Sequence, residues 1–172
     1  MKFNSPKLIF LSFLIITSFF QNIWGRTIEV DKTKLVFDDG DTFFYDGMPV
    51  RFLGVDTPEI KHESLGMFEN QYLGQEASEF TRRELIKAKS ITIITNKKDR
   101  YNRALGHILV DGELLAVKIL KAGLGYETIS HYGSSGFKEF EDTIQNTWKQ
   151  LPRPNFENPI YWRSRNRKKV LK

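Results

Sequence analysis

The sequence predicts an α+β fold, mainly β, in which five short strands close into a barrel and about three helices pack against it. Three observations predict this fold. Short runs rich in Val, Ile, Thr, Phe and Tyr are separated by turn dipeptides. Helical periodicity is confined to three segments. The 172 residues, 40% of them hydrophobic, suffice for one domain with a core. Periodicity alone leaves another small α+β fold open.

The first half of the chain is predicted to be a β-meander. Thr27–Phe37 and Thr42–Tyr45 are rich in strand-forming residues, Asp46-Gly47 is a strong hairpin signal, and Val50–Val55 returns as the next strand. The polar stretch Lys61–Gly74 has little periodicity and predicts a loop.

The second half mixes helices and strands. Gln75–Lys89 has helical periodicity, Ile91–Thr95 and Ala104–Val110 are predicted strands, and Leu114–Ala122 is a short predicted helix. A last amphipathic helix, capped by Ser134 or Ser135, is indicated by the spacing of Phe137, Phe140, Ile144 and Trp148.

The first 25 residues are typical of a secretory signal peptide. Lys2 and Lys7 precede the apolar run Leu8–Phe20, and Gly25 is small enough to precede a cleavage site. The run is shorter than the roughly 20 residues of a transmembrane helix. We therefore expect a secreted, periplasmic or cell-envelope protein, with an uncleaved membrane anchor as the alternative.

The net charge of +5 is unevenly distributed. Residues 153–172 carry seven basic residues and one acidic residue, whereas residues 26–152 carry 17 basic and 20 acidic residues. A slightly acidic body favours an enzyme with carboxylates around a cation over a uniformly basic nucleic-acid binder. The basic tail, residues 152–172, is either a solvated end or an arm that contacts nucleic acid or an anionic envelope.

The absence of cysteine excludes disulfides, a thiolate nucleophile and a cysteine-based zinc site. Two carboxylate clusters remain as candidate metal ligands, Asp38-Asp39-Gly40-Asp41 and Asp56-Thr57-Pro58-Glu59. A hairpin between them can place Asp41 and Asp56 across one pocket. Two carboxylates, the Thr57 carbonyl and waters would suit calcium. Either cluster alone is more typical of an ordinary turn, and it is the pair of clusters that favours a cation site.

Two arginines could complete a phosphate site. Arg51 lies on a predicted strand five residues before Asp56, and Arg103 follows the turn Asp99-Arg100-Tyr101-Asn102. A guanidinium binds two phosphate oxygens at once and keeps its charge. Arg51 could instead be a strand residue that pairs with an acid, and Arg103 a surface residue beside a turn.

In combination these motifs resemble the staphylococcal nuclease (thermonuclease) family. The resemblance covers about residues 33–148 and rests on five pieces in the family's order: Asp39-Gly40-Asp41-Thr42, Arg51, Val55-Asp56-Thr57-Pro58-Glu59, Gly74-Gln75-Glu76-Ala77 and Asp99-Arg100-Tyr101-Asn102-Arg103. It implies an OB-type barrel, a nuclease domain over residues 26–151 and a monomer.

The resemblance also implies the chemistry of the site. Asp41, Asp56 and the Thr57 carbonyl would bind calcium, or another divalent ion, with Asp39 as an outer acid. Glu59 would activate the attacking water, while Arg51 and Arg103 would stabilise the transition state. Arg100 and Tyr101 would contact the nucleotide. The substrates would be DNA and RNA, cleaved with little sequence specificity to leave 3′-phosphate ends, and no protein partner is indicated.

Two other classes of protein remain as alternatives. A non-catalytic nucleic-acid-binding OB domain would keep the barrel, but it would be expected to lack some of these carboxylates and arginines. A calcium-binding structural protein would account for the carboxylates and leave the two arginines unexplained.

Overall fold

The computed structural model describes residues 25–166. Residues 1–24, which contain nearly all of the predicted signal peptide, and residues 167–172 of the basic tail lie outside this range. In residues 25–166 the helices are all too short or too polar to cross a membrane.

The described chain has nine short strands and five helices, and its first five strands precede the first helix. The strands are β1 (Arg26–Glu29), β2 (Leu35–Phe37), β3 (Thr42–Tyr45), β4 (Met48–Phe52), β5 (Val55–Asp56), β6 (Ile91–Lys98), β7 (Ala104–Val110), β8 (Glu113–Leu114) and β9 (Tyr126–Glu127). The helices are α1 (Gly74–Lys87), α2 (Leu115–Lys121), α3 (Ile129–Tyr132), α4 (Lys138–Gln150) and α5 (Pro159–Asn166). Short 3-10 turns occur at Lys32–Lys34 and Glu63–Leu65.

The strands form a strongly curled sheet with the order β1-β6-β7-β4-β3-β2, and β8 pairs with β7. Only the β4–β7 pairing in this sheet is parallel. The predicted hairpin turn is confirmed, because Asp46 and Gly47 both have positive φ, 51° and 77°, as a two-residue turn of this kind requires. β5 and β9 form a separate two-stranded sheet.

The predicted strand Thr27–Phe37 is wrong as a single element. It is divided into β1 and β2 by the 3-10 turn at Lys32–Lys34. The cause is local, because the Asp31 carboxylate accepts hydrogen bonds from the Thr33 amide at 3.0 Å and the Thr33 hydroxyl at 2.7 Å. A short polar side chain that binds nearby backbone competes with the strand ladder.

One core joins the sheet to three helices. α2 contacts both α1 and α4 and lies against β7. The fully buried side chains come from both layers, with Phe43 and Val50 on the sheet and Leu85, Ile119 and Ile144 on the helices. This arrangement confirms the predicted α+β fold of OB type.

The predicted serine cap of the last amphipathic helix is wrong. α4 begins at Lys138, and Phe137 precedes it without a side-chain cap. Instead, the Glu141 carboxylate accepts hydrogen bonds from the Ser135 amide (2.5 Å) and the Ser135 hydroxyl (2.6 Å). An acid in the first turn of the helix thus satisfies the preceding donors and benefits from the helix dipole.

The same serine contacts a buried histidine. His107 Nε2 lies 3.3 Å from the Ser135 hydroxyl, while its Nδ1 is buried without a hydrogen-bond partner. Burial lowers the pKa of His107 to about 4. The ring is therefore neutral in the folded protein at pH 7.

We expect His107 to make the folded protein sensitive to acid. In the unfolded chain its pKa is about 6.5, so the unfolded state takes up the proton first as pH falls. The free energy of unfolding is therefore unaffected by His107 above pH 6.5, and it decreases as pH falls towards about 4. The loss should reach about 3 kcal/mol in the free energy of unfolding.

Urea denaturation between pH 4 and 7.5 measures this loss. A His107→Gln variant should lose less stability over that range than the wild type. His131→Gln alters an exposed histidine and should lose as much stability as the wild type. Parallel pH profiles for all three proteins would contradict the assignment.

The predicted basic tail is folded over residues 152–166. Phe156 is buried, and its ring packs edge-on against Tyr126 with centroids 5.3 Å apart. The Tyr126 hydroxyl donates to the Phe156 carbonyl at 2.8 Å. After this anchor, Asn158 caps α5 by accepting from the Ile160 amide at 2.9 Å, and Pro159 takes the first helical position. The described part of the tail is therefore part of the domain.

Candidate active site

The two carboxylate clusters meet because two backbone segments approach closely. A Cβ on Gly40 would lie 2.6 Å from the Thr57 hydroxyl oxygen, so only glycine fits here without displacement. Thr81 of α1 donates to the Gly40 carbonyl at 2.6 Å. The Thr57 amide then donates to Asp41 Oδ2 at 2.7 Å. The loop before β3 is thereby held against the turn after β5.

Arg51 joins the two clusters. It pairs with Thr42 across the β3–β4 ladder, which places its side chain beside Asp41. One guanidinium nitrogen contacts Asp41 Oδ1 and the other contacts Asp56 Oδ1. Both carboxylates are about 1% exposed and the arginine side chain 16% exposed. Asp41 and Asp56, which were predicted to lie across one pocket, are thus brought together on either side of the Arg51 guanidinium.

The electrostatics of the two acids differ. Burial raises the pKa of Asp41 well above its usual value, and the charge of Arg51 offsets this only in part. Burial also acts on Asp56, but Arg51 and Arg163 outweigh it and lower the pKa of Asp56. The site therefore holds closely spaced acids whose charges depend on nearby cations.

Hydrogen bonds to the backbone of Glu59 fix its position. Its backbone N–H donates to the side-chain Oε1 of Gln71 at 3.2 Å, and its carbonyl accepts from the backbone N–H of Gln71 at 2.8 Å. A Cβ on Gly74, the first residue of α1, would lie 2.2 Å from the Glu59 carbonyl oxygen. The side chain of Glu59 is 7% exposed, and burial raises its pKa. The start of α1 therefore positions Glu59.

Arg163 is a site residue that the sequence analysis did not identify. This α5 residue donates to Asp56 Oδ2 at 2.7 Å and to Asp56 Oδ1 at 3.0 Å, and it also contacts Glu59 Oε1. A signal was present in the sequence, because Asn158-Pro159 is a helix-start pattern. The pattern indicates a helix but does not indicate where that helix packs.

The remaining predicted residues lie along a groove of about 1010 Å³ that Arg51, Glu59 and Arg163 also line. Arg103 donates from Nε to Asp99 Oδ2 at 2.8 Å. The exposed ring of Tyr101 lies beneath the guanidinium groups of Arg100 and Arg103, at 4.8 and 5.7 Å from the ring centroid. Within residues 25–166, no hydrogen bond or ion pair joins Arg103 to Asp41, Asp56 or Glu59. Arg103 and Glu59 line the same groove.

The carboxylates do not form a ready-made metal cage. Across residues 25–166, no group of three or more His, Asp or Glu side chains is arranged to hold a metal ion. Arg51 and Arg163 contact the acids instead. Asp39 stays nearby, and its Oδ1 accepts from the Asp41 amide at 3.0 Å.

The family comparison covers the part of the chain that forms most of this site. The model of the family described as "Staphylococcal nuclease homologue" matches residues 49–148. This range includes Arg51, Asp56, Glu59 and Arg103, while Asp41 and Arg163 lie outside it.

Individual relatives are moderately similar. A protein named thermonuclease from Staphylococcus hyicus is 36% identical over 91 residues, which is 50% of this chain and 52% of the relative. The thermonuclease of Staphylococcus intermedius is 34% identical over the same lengths. Endonuclease YncB of Bacillus subtilis (strain 168) is 36% identical over 93 residues, 50% of this chain and 42% of the relative.

The alignments with these three relatives span about half of each relative's length or less. The family model, in contrast, matches more than half of this chain, from β4 to most of α4, and includes Arg51, Asp56, Glu59 and Arg103. The chain belongs to the staphylococcal nuclease homologue family.

Proposed function

We propose that this chain is a calcium-dependent endonuclease that hydrolyses phosphodiester bonds of DNA and RNA. The observation that carries the proposal is the convergence of Asp41 and Asp56 on the Arg51 guanidinium, with Glu59 beside them. Buried acids beside an arginine that lines an open groove are suited to a phosphate under nucleophilic attack. The names of two relatives, thermonuclease and endonuclease, support a nuclease activity.

The donor set fits a hard divalent cation. Asp39, Asp41, Asp56 and Glu59 all lie near Arg51, and the last two also contact Arg163. Four acids therefore face two arginines, which leaves an excess of carboxylate oxygens. Asp41, Asp56 and the Thr57 carbonyl would hold the ion, and all three offer the oxygen ligands that calcium prefers. When bound, the ion would supply positive charge where charge builds up on the phosphate. Manganese and magnesium use the same ligand class and are the alternatives.

The arginines and Glu59 would have separate roles in the reaction. Arg51 and Arg103 would bind the non-bridging phosphate oxygens and stabilise the charge that develops during attack. Glu59 would take a proton from the attacking water, and its raised pKa favours that role. The family resemblance supports 3′-phosphate products. Glu59 must first exchange its contact with Arg163 for the water.

The groove favours a substrate recognised by its backbone. Arg100, Tyr101 and Arg103 offer two charges and one exposed ring along it. Such a surface binds phosphates and stacks bases without reading their edges. We therefore propose little sequence specificity and activity on both DNA and RNA.

The nuclease proposal is tested with plasmid DNA, single-stranded DNA and RNA, in calcium and in chelator. Wild-type protein should cut all three in calcium only. Glu59→Gln and Arg103→Ala should each lower the cleavage rate by about 10²- to 10³-fold, because each removes a group that acts in the transition state. Arg82→Ala, which removes an exposed arginine stacked on Phe37, is the matched control and should retain activity.

Binding without cleavage under every divalent ion would contradict the nuclease proposal and favour a non-catalytic OB domain. Equal activity of all variants would contradict the assigned residues.

We also propose that the protein acts as a monomer outside the cytoplasm. The proposal of export rests on the basic, apolar and small-residue pattern of residues 1–25. N-terminal sequencing of the exported protein tests it, and a start near residue 26 is expected. An N-terminus that retains the apolar run would favour the membrane-anchor alternative.

A further inference from the structure

Arg163 occupies the carboxylates that the proposed function assigns to a cation and to the base. Its two terminal nitrogens bind both oxygens of Asp56, at 3.0 and 2.7 Å, and one of them also contacts Glu59. The arginine side chain is 22% exposed, so these contacts are largely shielded from solvent. Bidentate, charge-assisted hydrogen bonds of this kind are among the stronger polar interactions in proteins.

Contacts made by the residues just before α5 fix the position of Arg163. Phe156 is buried against Tyr126, and the Glu157 carbonyl accepts from Gln71 Nε2 at 2.5 Å. Gln71 also forms hydrogen bonds with both the backbone N–H and the carbonyl of Glu59. One residue therefore connects the α5 segment to the segment that carries Glu59, and the approach of Arg163 is built into the fold.

The charges indicate what a cation would do to this contact. Asp41, Asp56 and Glu59 face the two guanidinium groups of Arg51 and Arg163. Both oxygens of Asp56 already have a guanidinium partner. A doubly charged ion brought to Asp56 would repel Arg163 and would compete for the same oxygens.

We propose that Arg163 is a further residue of this site, a built-in counter-ion that holds Asp56 and Glu59 until a divalent cation displaces it. The inference rests on the proposed function in one respect, the assignment of Asp56 as a cation ligand. Displacement would release Glu59 for the attacking water and loosen α5, while Phe156 keeps the segment attached.

Calcium titration calorimetry of the full-length protein measures the competition directly. Arg163→Gln should bind calcium about tenfold more tightly than wild type, because it removes a charged competitor with two hydrogen bonds to Asp56. Arg165→Gln is the matched control. It removes the same charge from the same helix, but Arg165 is 64% exposed and pairs with Glu157, so its affinity should stay within about twofold of wild type.

Hydrogen exchange gives a second measurement that needs no variant. In wild-type protein, calcium should accelerate amide exchange in residues 159–166 while residues of the β6–β7 pair remain protected. Arg163→Lys keeps the positive charge but loses the bidentate guanidinium geometry. Its calcium affinity should fall between those of wild type and Arg163→Gln. This variant also serves if Arg163→Gln does not fold.

The outcomes separate the two proposals. Calcium-dependent cleavage by wild type, with unchanged calcium affinity in Arg163→Gln and unchanged exchange in α5, would overturn the counter-ion role and leave the nuclease intact. Weaker calcium binding in Arg163→Gln would also overturn it, because Arg163 would then assist the cation. No calcium binding by any variant, with no cleavage, would overturn the cation assignment itself and the inference with it.

Discussion

Replacement of Arg51 by glutamine is expected to lower the cleavage rate by about three orders of magnitude and to destabilise the fold by about 3 kcal/mol. Arg51 contacts both Asp41 and Asp56. Glutamine cannot neutralise two acids that are about 1% exposed. Removal of one partner from a buried charge pair leaves the other charge uncompensated, and the transition state also loses a charged donor.

Plasmid cleavage rates and urea denaturation measure the two effects. Arg51→Lys is the control, because it keeps the charge and loses the two-pronged geometry, so stability should recover more than activity. Calcium should stabilise Arg51→Gln more than wild type, since the ion would replace the missing positive charge. A glutamine variant with stability and cleavage close to wild type would show that Arg51 is only a strand residue with an acidic neighbour.

Replacement of Gly74 by alanine is expected to reduce both stability and activity, although alanine is the better helix former by about 1 kcal/mol. The new methyl group would lie 2.2 Å from the Glu59 carbonyl oxygen and 2.9 Å from its carbonyl carbon. Both are backbone atoms, so the methyl group cannot be accommodated by a side-chain rotation. We expect a loss of about 2 kcal/mol in the free energy of unfolding.

The effect on activity follows from the displacement of Glu59. A misplacement of about 1 Å can cost about 10²-fold in rate, so cleavage should fall by one to two orders of magnitude with a smaller change in KM. Glu76→Ala, an exposed change in the first turn of the same helix, should leave both quantities nearly unchanged. A stabilised and fully active Gly74→Ala protein would mean that the contact with Glu59 relaxes without consequence.

The parts of the fold that were predicted correctly depend on local chemistry. Asp46-Gly47 specifies a two-residue hairpin because few other residue pairs adopt two consecutive positive φ angles. That hairpin sets the register in which Thr42 pairs with Arg51. The proximity of Asp41, Arg51 and Asp56 could therefore be predicted, because each is linked to the others through one short meander.

The errors arise where two local preferences compete. Residues 27–37 have the composition of one strand, but the Asp31 side chain binds the Thr33 amide and divides it. Ser134 and Ser135 are good capping residues, yet both hydroxyls bind the Glu141 carboxylate. In both places a side chain reaches backbone or hydroxyl groups a few residues away, and a composition-based prediction does not rank such alternatives.

Residue types and short-range spacing were enough to predict the fold class, the Asp46-Gly47 hairpin and the candidate acids and arginines of residues 39–59 and 99–103. Long-range packing was needed to show that Gln71 and Gly74 lie against the backbone of Glu59, and that Arg163 binds Asp56 across 107 residues of sequence. The contact of Arg163 depends on where α5 packs, which is set by the burial of Phe156 and by the excess of buried carboxylates, and no local pattern encodes that position.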